Sequence, residues 1–274
     1  MTAELRLPAV AGMFYPGKAS DLAGEVHALL RDAGAAAGTV VASGTAPKAI
    51  VVPHAGYIYS GPTAARVFAL LQPVADTIRR VVLLGPTHRV GVEGLAMPTV
   101  AGFATPLGVI EIDRDAAALI ADLPQVVVAD APHAQEHALE VELPFLQTVL
   151  PDFKLLPLAV GRASAEAVAE VLERLWGGPE TLIVVSSDLS HYLPYDVARE
   201  IDGRTAARIL AFDPTISHDE ACGATPLNGL LIAAERHGLA ARQVDLRNSG
   251  DTAGDRRRVV GYGGFAFGGG ANAR

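Results

Sequence analysis

The chain has 274 residues, of which 50% are hydrophobic and 19% are charged, so it can bury a large core and lies far from the disordered class. Its formal net charge is −8 and its basic run is limited to residues 256–258, which argues against nucleic acid or an anionic membrane surface as the main partner. No apolar segment resembles a signal peptide or reaches the length that spans a bilayer. The single cysteine, Cys222, excludes an intramolecular disulfide, and we expect a cytoplasmic protein.

Short apolar segments rich in Val, Ile and Leu alternate along the chain with amphipathic segments of helical period. The predicted strands are 48–53, 80–85, 155–161, 181–187 and 259–267, with a more polar strand over 243–248 nearer an edge. The predicted helices are 19–33, 63–71 (capped by Ser60), 114–121, 136–150, 164–176, 196–212 and 226–237. Several strands lack polar alternation, as is typical of strands covered on both faces. We therefore predict a single α/β/α domain over residues 1–274, with a mainly parallel or mixed central sheet and a loose tail over 268–274.

Polar side chains follow three of the predicted strands at the point where each strand ends. His54 follows the first strand, His88 follows the second, and Asp188 and His191 follow strand 181–187. Ligands of open α/β sheets bind beyond the carboxyl ends of the strands, and imidazole is a common metal ligand, acid and base. Together these residues predict one site in one crevice. Taken singly, each of these histidines could equally be a loop residue or a helix cap. Asp188 could likewise only cap the segment that follows its strand.

Two further segments carry candidate functional residues. Glu136 and His137 fall in the first turn of predicted helix 136–150, where they either close the pocket or, as acidic residues do, stabilise a helix N-terminus. Cys222 lies just before the last predicted helix, a position that lowers the pKa of a thiol and favours a thiolate. A thiolate is a nucleophile and a soft metal ligand, whereas a buried cysteine often serves only as a small hydrophobic residue.

Six segments, in this order, resemble the MEMO family, called AmmeMemoRadiSam system protein B in prokaryotes. They are PAVAGMFYPG (8–17), PHAGYIYSG (53–61), LLGPTH (83–88), EHALEVELPFL (136–146), VVSSDLSHY (184–192) and CGATPLNGLL (222–231). The resemblance implies a fold like that of the class III extradiol (LigB-like) dioxygenases. It also implies a metal pocket formed by His54, His88 and Cys222, which Asp188 and His191 line. We expect Asp188 and His191 either to orient the ligands or to act as acid and base.

The cysteine in this implied ligand set bears on the expected chemistry. The dioxygenases hold Fe(II) with two histidines and a carboxylate. Cys222 in the third position departs from this ligand set, which argues against ring cleavage and admits copper as well as iron. One hypothesis is a metal-dependent redox or dioxygenase-like enzyme that acts on an unknown small molecule. The alternative is a non-enzymatic protein that binds metal or a partner in a modification system, with radical SAM and AMMECR-type proteins as the partners that the family name implies.

Overall fold

The structure is a computed structural model that describes residues 4–36 and 46–269. The strands within these ranges are β1 (Leu5–Arg6), β2 (Pro47–Val52), β3 (Arg80–Pro86), β4 (Leu95–Met97), β5 (Gly102–Thr105), β6 (Gly108–Glu111), β7 (Val126–Val128), β8 (Lys154–Val160), β9 (Thr181–Ser186), β10 (His191–Leu193), β11 (Ala240–Asn248) and β12 (Val259–Gly268). The α-helices are α1 (Ala19–Ala36), α2 (Tyr57–Phe68), α3 (Arg114–Ile120), α4 (Ala131–Ala134), α5 (Leu143–Val149), α6 (Ala165–Leu175), α7 (Tyr195–Leu210) and α8 (Ala224–Arg236). The 3₁₀ helices of the described residues span Ala69–Val74, Glu140–Glu142 and Ser249–Asp251.

The main sheet is mixed, with a parallel centre. Its strand order is β10-β12-β2-β9-β3-β8-β4-β7, and the predicted edge strand β11 pairs with β12. Strands β2, β9, β3 and β8 run parallel to one another, whereas β12 is antiparallel to β2 and β4 is antiparallel to β8. Strands β1, β5 and β6 form a separate small sheet. The parallel centre places the carboxyl ends of four strands on one side of the domain.

Alternate side chains of the central strands enter two hydrophobic cores, one on each face of the sheet. Ile50 and Val52 of β2 pack in the core formed with α1, α2 and α5. Ala49 and Val51 of the same strand pack in the core formed with α3, α6, α7 and α8. This two-sided burial explains the unbroken apolar strands of the sequence, and it confirms the predicted α/β/α class. None of the helices in the described ranges is long and apolar enough to cross a membrane.

The predicted helix over 136–150 is wrong in its first half. Helix α5 begins only at Leu143, and the segment before it consists of a turn followed by the 3₁₀ helix Glu140–Glu142. The carboxylates of Glu136 and Glu140 accept hydrogen bonds from distant parts of the chain, and these contacts fix an irregular path that a regular helix could not follow. The helix predicted over 63–71 instead begins at Tyr57, so Ser60 lies inside it. Gly268 of the expected tail ends β12, and 270–274 lie outside the described residues.

A buried ion pair ties the N-terminal segment to this irregular path. The Arg6 guanidinium contacts the Glu140 carboxylate, and both side chains are almost fully buried. Arg6 also donates to the carbonyl oxygens of His133 (3.0 Å) and Glu136 (2.6 Å). Glu140 in turn accepts from two backbone amides of residues 9 and 10 and from the Tyr15 hydroxyl. The position of the segment that follows α4 therefore depends on Glu140.

We expect Glu140→Gln to destabilise the fold by about 3–5 kcal/mol, because it leaves the buried Arg6 guanidinium without its counter-charge. The free energy of unfolding from urea titration measures this effect. Glu166→Gln is the matched control, since the Glu166–Arg236 pair is exposed and such pairs contribute at most about 1 kcal/mol. Equal effects of the two substitutions would contradict the structural role of the buried pair.

Candidate functional site

The parallel strands bring the predicted site residues to one edge of the sheet. Strand β2 pairs in parallel with β9, with Val52 opposite Ser186, and β9 pairs in parallel with β3. His54, Asp188 and His88 each lie two residues beyond the end of one of these three strands. The register therefore places all three at the same carboxyl edge, as the strand-end pattern predicts.

His54 is buried and is held at three points. Its backbone N–H donates to Asp188 Oδ1 (2.8 Å), and its Nδ1 lies 2.7 Å from Ser186 Oγ. Its Nε2 lies 3.3 Å from Cys222 Sγ. Burial is the main cause that holds the pKa of His54 well below its ordinary value. The positive charges that His137 and His88 would carry lower this pKa further. The imidazole is therefore neutral and can offer one nitrogen lone pair to a metal.

His88 is oriented by a carboxylate. Its Nδ1 lies 2.8 Å from Glu136 Oε1, and its backbone N–H donates to the other oxygen of the same carboxylate. Burial alone would raise the pKa of Glu136, but hydrogen bonds from the His137 and His88 side chains and from backbone amides hold it well below its ordinary value. An ionised carboxylate only accepts hydrogen bonds, so His88 Nδ1 carries a proton, and the neutral form of this imidazole has its lone pair on Nε2.

His137 lines the same cavity and stacks on His88. The ring centroids of these two residues are 4.6 Å apart, and the His54 ring lies 5.2 Å from His88 and 5.3 Å from His137. The Phe14 ring also packs against His137, with ring centroids 4.8 Å apart. Glu136 thus orients the imidazoles rather than lining the cavity itself, while His137 is part of the cavity wall.

Cys222 does not have the low thiol pKa that its place before a helix predicts. Burial, reinforced by the negative charge of Asp188, raises the pKa of Cys222 to about 12. Helix α8 begins at Ala224 with Gly223 as its N-cap, so Cys222 precedes the cap. Desolvation of the thiolate outweighs the stabilisation that the helix N-terminus provides. In the metal-free protein the group beside His54 is therefore a neutral thiol.

The donor atoms of His54, His88 and Cys222 form a compact group. They all lie within 4.8 Å of one another. A tetrahedral metal with bond lengths of about 2.05 Å to nitrogen and 2.3 Å to sulfur would hold its N and S donors about 3.6 Å apart. The 3.3 Å between His54 Nε2 and Cys222 Sγ is close to this value. Two imidazoles and one thiol are thus a donor set that fits a transition metal.

A second group of donor atoms, from His88, Glu136 and His137, is equally compact but chemically less suitable. Glu136 Oε1 already accepts from His88 Nδ1 (2.8 Å) and from the amides of His137 (2.9 Å) and Ala138 (3.0 Å). A metal bound there would have to displace these donors from a buried carboxylate. The first group requires no such loss.

Asp188 and His191 both line the cavity next to this group. Asp188 is 5% exposed and contacts the backbone of His54 rather than an imidazole ring. Burial raises the pKa of Asp188, while His191 and the His54 amide oppose the shift. Such a carboxyl group takes up and releases a proton closer to neutral pH than an exposed aspartate does.

The cavity that these residues share has a volume of about 800 Å³, within the range of small-molecule sites. Its aromatic walls are Phe14, Tyr59, Tyr192 and Tyr262. A neighbouring cavity of about 780 Å³ reaches His88 and Cys222 from another side. The candidate metal donors therefore lie where a small molecule has access to them.

Comparison with known proteins identifies the family of the chain. A family model described as "Memo-like protein" matches residues 6–266. The chain belongs to the Memo-like family. A MEMO1 family protein of Archaeoglobus fulgidus is 35% identical, over 96% of this chain and 99% of the relative, and one of Aquifex aeolicus is 37% identical over the same shares. An uncharacterized protein of Escherichia coli K12 with a solved structure has a TM-score of 0.49 and 13% identity, covering 78% of this chain and 98% of that one, a similarity too low to support a conclusion.

Sequence reasoning about this Memo-like chain missed two residues behind the cavity. Ser186 contacts His54 Nδ1 and Glu142 contacts Ser186, and both side chains are fully buried. A signal for each was present, because a serine ends the apolar strand LIVVS and two glutamates, the second of them Glu142, interrupt the apolar run LEVELPFL. Polar residues inside such runs are typical of satisfied internal networks.

In metal-free protein we expect the rate of Cys222 alkylation by iodoacetamide to be low at pH 7 and still rising at about pH 10, because only the thiolate reacts. The rate as a function of pH measures the pKa of the thiol. Protein unfolded in urea is the control and should show the free-cysteine value of about 8.5. A folded-state plateau at or below that value would contradict the raised pKa.

Proposed function

We propose that this Memo-like protein binds one iron or copper ion through His54, His88 and Cys222 and acts as a metal-dependent redox or dioxygenase-like enzyme on a small molecule. The observation that carries the proposal is the compact group of two imidazole donors and one thiol at the wall of a cavity. Imidazole suits both metals, and a thiolate adds affinity for softer ions.

A bound iron or copper ion would supply one-electron chemistry and a Lewis acid for the small molecule. The chain prepares the donors for it. Glu136 holds the proton of His88 on Nδ1 and so directs Nε2 at the metal position. The neutral thiol of Cys222 releases its proton when the metal binds, because only a thiolate is a good ligand.

Proton transfer to and from the small molecule is assigned to Asp188 and His191. Both line the cavity beside the donor group, and neither belongs to it. The raised pKa of Asp188 allows its carboxyl group to hold a proton or accept one during turnover. The aromatic walls offer apolar surface for the rest of the small molecule.

Elemental analysis of protein purified anaerobically should give one metal ion per chain. We expect His54→Ala and His88→Ala each to remove most of the metal, and Cys222→Ser to weaken copper binding more than it disturbs folding, because serine is a poor soft ligand. His27→Ala is the matched control, since His27 is an exposed residue of α1 whose Nδ1 lies 2.6 Å from the Ala23 carbonyl oxygen of the same helix. Full metal occupancy in the doubly substituted His54→Ala, His88→Ala protein would refute the ligand assignment.

Oxygen consumption by the metal-loaded protein, measured against a panel of metabolites, separates the two functional hypotheses. Uptake that requires both metal and one metabolite would support the enzyme. One metal per chain without uptake, together with capture of radical SAM or AMMECR-type proteins, would favour the alternative of a non-enzymatic component of a modification system.

Glu136 and Asp188 should respond differently to removal of their charge. Glu136→Gln should weaken metal affinity by about 10- to 100-fold, because Glu136 fixes the ring of His88. Asp188→Asn should change metal affinity less than Glu136→Gln does, since an amide oxygen still accepts from the His54 backbone, but should slow turnover by at least about 100-fold. Competition titration with a metal chelator and oxygen uptake measure the two quantities. Loss of affinity in Asp188→Asn with normal turnover would exclude the proton-transfer role.

A further inference from the structure

Ser186 lies at the centre of a buried polar cluster directly behind His54. Its hydroxyl oxygen has three polar neighbours, namely His54 Nδ1 at 2.7 Å, the Ala138 carbonyl oxygen at 2.7 Å and Glu142 Oε1 at 2.9 Å. A serine hydroxyl has one proton to donate and two lone pairs that accept. The three contacts can all be satisfied only if one neighbour accepts and two donate.

The acceptor among the three neighbours is the Ala138 carbonyl oxygen, because a carbonyl oxygen has no proton. The Ser186 hydroxyl therefore donates to Ala138. It follows that His54 Nδ1 and Glu142 Oε1 both donate to Ser186. If Ser186 donated to Glu142 instead, the oxygens of Ser186 and Ala138 would face each other at 2.7 Å without a proton between them.

The surroundings of Glu142 also require its neutral form. Its side chain is fully buried, and the described residues provide neither a basic partner nor any hydrogen-bond partner for Oε2. Burial raises the pKa of Glu142 well above its ordinary value, and the nearby Asp188 adds to the shift. An ionised carboxylate in this position would be a buried charge without compensation, which costs several kcal/mol.

We propose that Glu142 is a neutral carboxylic acid that holds Ser186 in place as an acceptor, and that this pair keeps the proton of His54 on Nδ1. Glu142 and Ser186 are thus positioning residues. His54 Nε2 then carries its lone pair on the side of Cys222 Sγ, 3.3 Å away. The consequence for metal binding rests on the proposed function, whereas the protonation states themselves do not.

The two candidate imidazole ligands are consequently fixed in the same tautomer by opposite means. His88 donates to the ionised carboxylate of Glu136, which makes its Nε2 a stronger donor. His54 donates to a neutral hydroxyl that is backed by a neutral acid. A neutral Glu142 therefore avoids a second buried carboxylate charge next to the imidazole ligands, besides that of Glu136. The ligand set would already gain one negative charge when Cys222 becomes a thiolate on metal binding.

Two measurements on metal-free wild-type protein test the assignment directly. Imidazole ¹⁵N shifts of histidine-labelled protein, assigned with His54→Ala, should show His54 protonated on Nδ1. The infrared difference spectrum between wild type and Glu142→Gln at pH 7 should show the carbonyl band of one protonated carboxylic acid. Glu166→Gln, at an exposed ion pair, should show only carboxylate bands. A proton on His54 Nε2, or a carboxylate signal from Glu142, would overturn the proposal.

Two substitutions then connect the cluster to the ligand set. Ser186→Ala removes the acceptor, so His54 should lose its single tautomer and Co²⁺ affinity should fall by about 10- to 100-fold. Glu142→Gln keeps a neutral donor of the same shape and should retain the wild-type tautomer and Co²⁺ affinity. A changed tautomer in Glu142→Gln, or an unchanged one in a folded Ser186→Ala protein, would contradict the positioning role.

The protonation states of His54 and Glu142 can be tested independently of the proposed metal centre. If wild-type protein bound neither Co²⁺ nor iron nor copper, the metal centre would fail while the ¹⁵N and infrared results still decided the protonation states. If the protein bound metal through His54 with the proton on Nε2 before binding, this inference alone would fail. His88→Ala provides the cross-check, because it should remove most of the bound metal without changing the tautomer of His54.

Discussion

The parallel pairing of β2 with β9, and of β9 with β3, is the constraint on which the site depends. Opposing residues of parallel strands advance together, so the pairing of Val52 with Ser186 fixes where the following residues emerge. His54 and Asp188 leave the sheet side by side, which allows the His54 amide to donate to the Asp188 carboxylate. Because both faces of these strands are buried, a slip in register would disrupt two hydrophobic cores at once. The geometry of the site is thus stabilised by packing distant from the cavity.

The irregular segment after α4 supplies what the strands cannot. Strands β2 and β3 place His54 and His88 at the same edge of the sheet, but the orientation of each ring depends on the hydrogen bond at its Nδ1. Glu136 provides the partner for His88, and Glu142 supports Ser186 behind His54. In a regular helix, at about 100° per residue, the side chains of residues 136 and 142 would point in directions about 120° apart. The irregular path instead allows Glu136 to contact His88 and Glu142 to contact Ser186 behind His54.

The sequence predicted the sheet better than it predicted the environment of the site. Apolar runs followed by histidine identified β2 and β3 and the sheet edge at which His54 and His88 lie. A strand that is buried on both faces is apolar along its whole length, so it can be recognised in the sequence. The thiol pKa of Cys222 could not be obtained in this way, since it depends on desolvation and on Asp188, which lies 34 positions away along the chain. The pairing of Arg6 with Glu140, across 134 positions, was equally invisible. Contacts of this kind depend on tertiary structure and leave no periodic signal.

Three glutamates of one short segment show why residue type alone does not decide a role. Glu136 accepts from two imidazoles and several amides and is ionised. Glu140 is paired with the Arg6 guanidinium and anchors the N-terminal segment. Glu142 has neither a cation nor a set of amide donors in the part of the chain that the structure describes, and burial favours its neutral acid form. Since all three side chains are almost completely buried, exposure cannot account for the difference. Their partners determine whether each one orients an imidazole, holds the fold or forms a hydrogen bond behind the cavity.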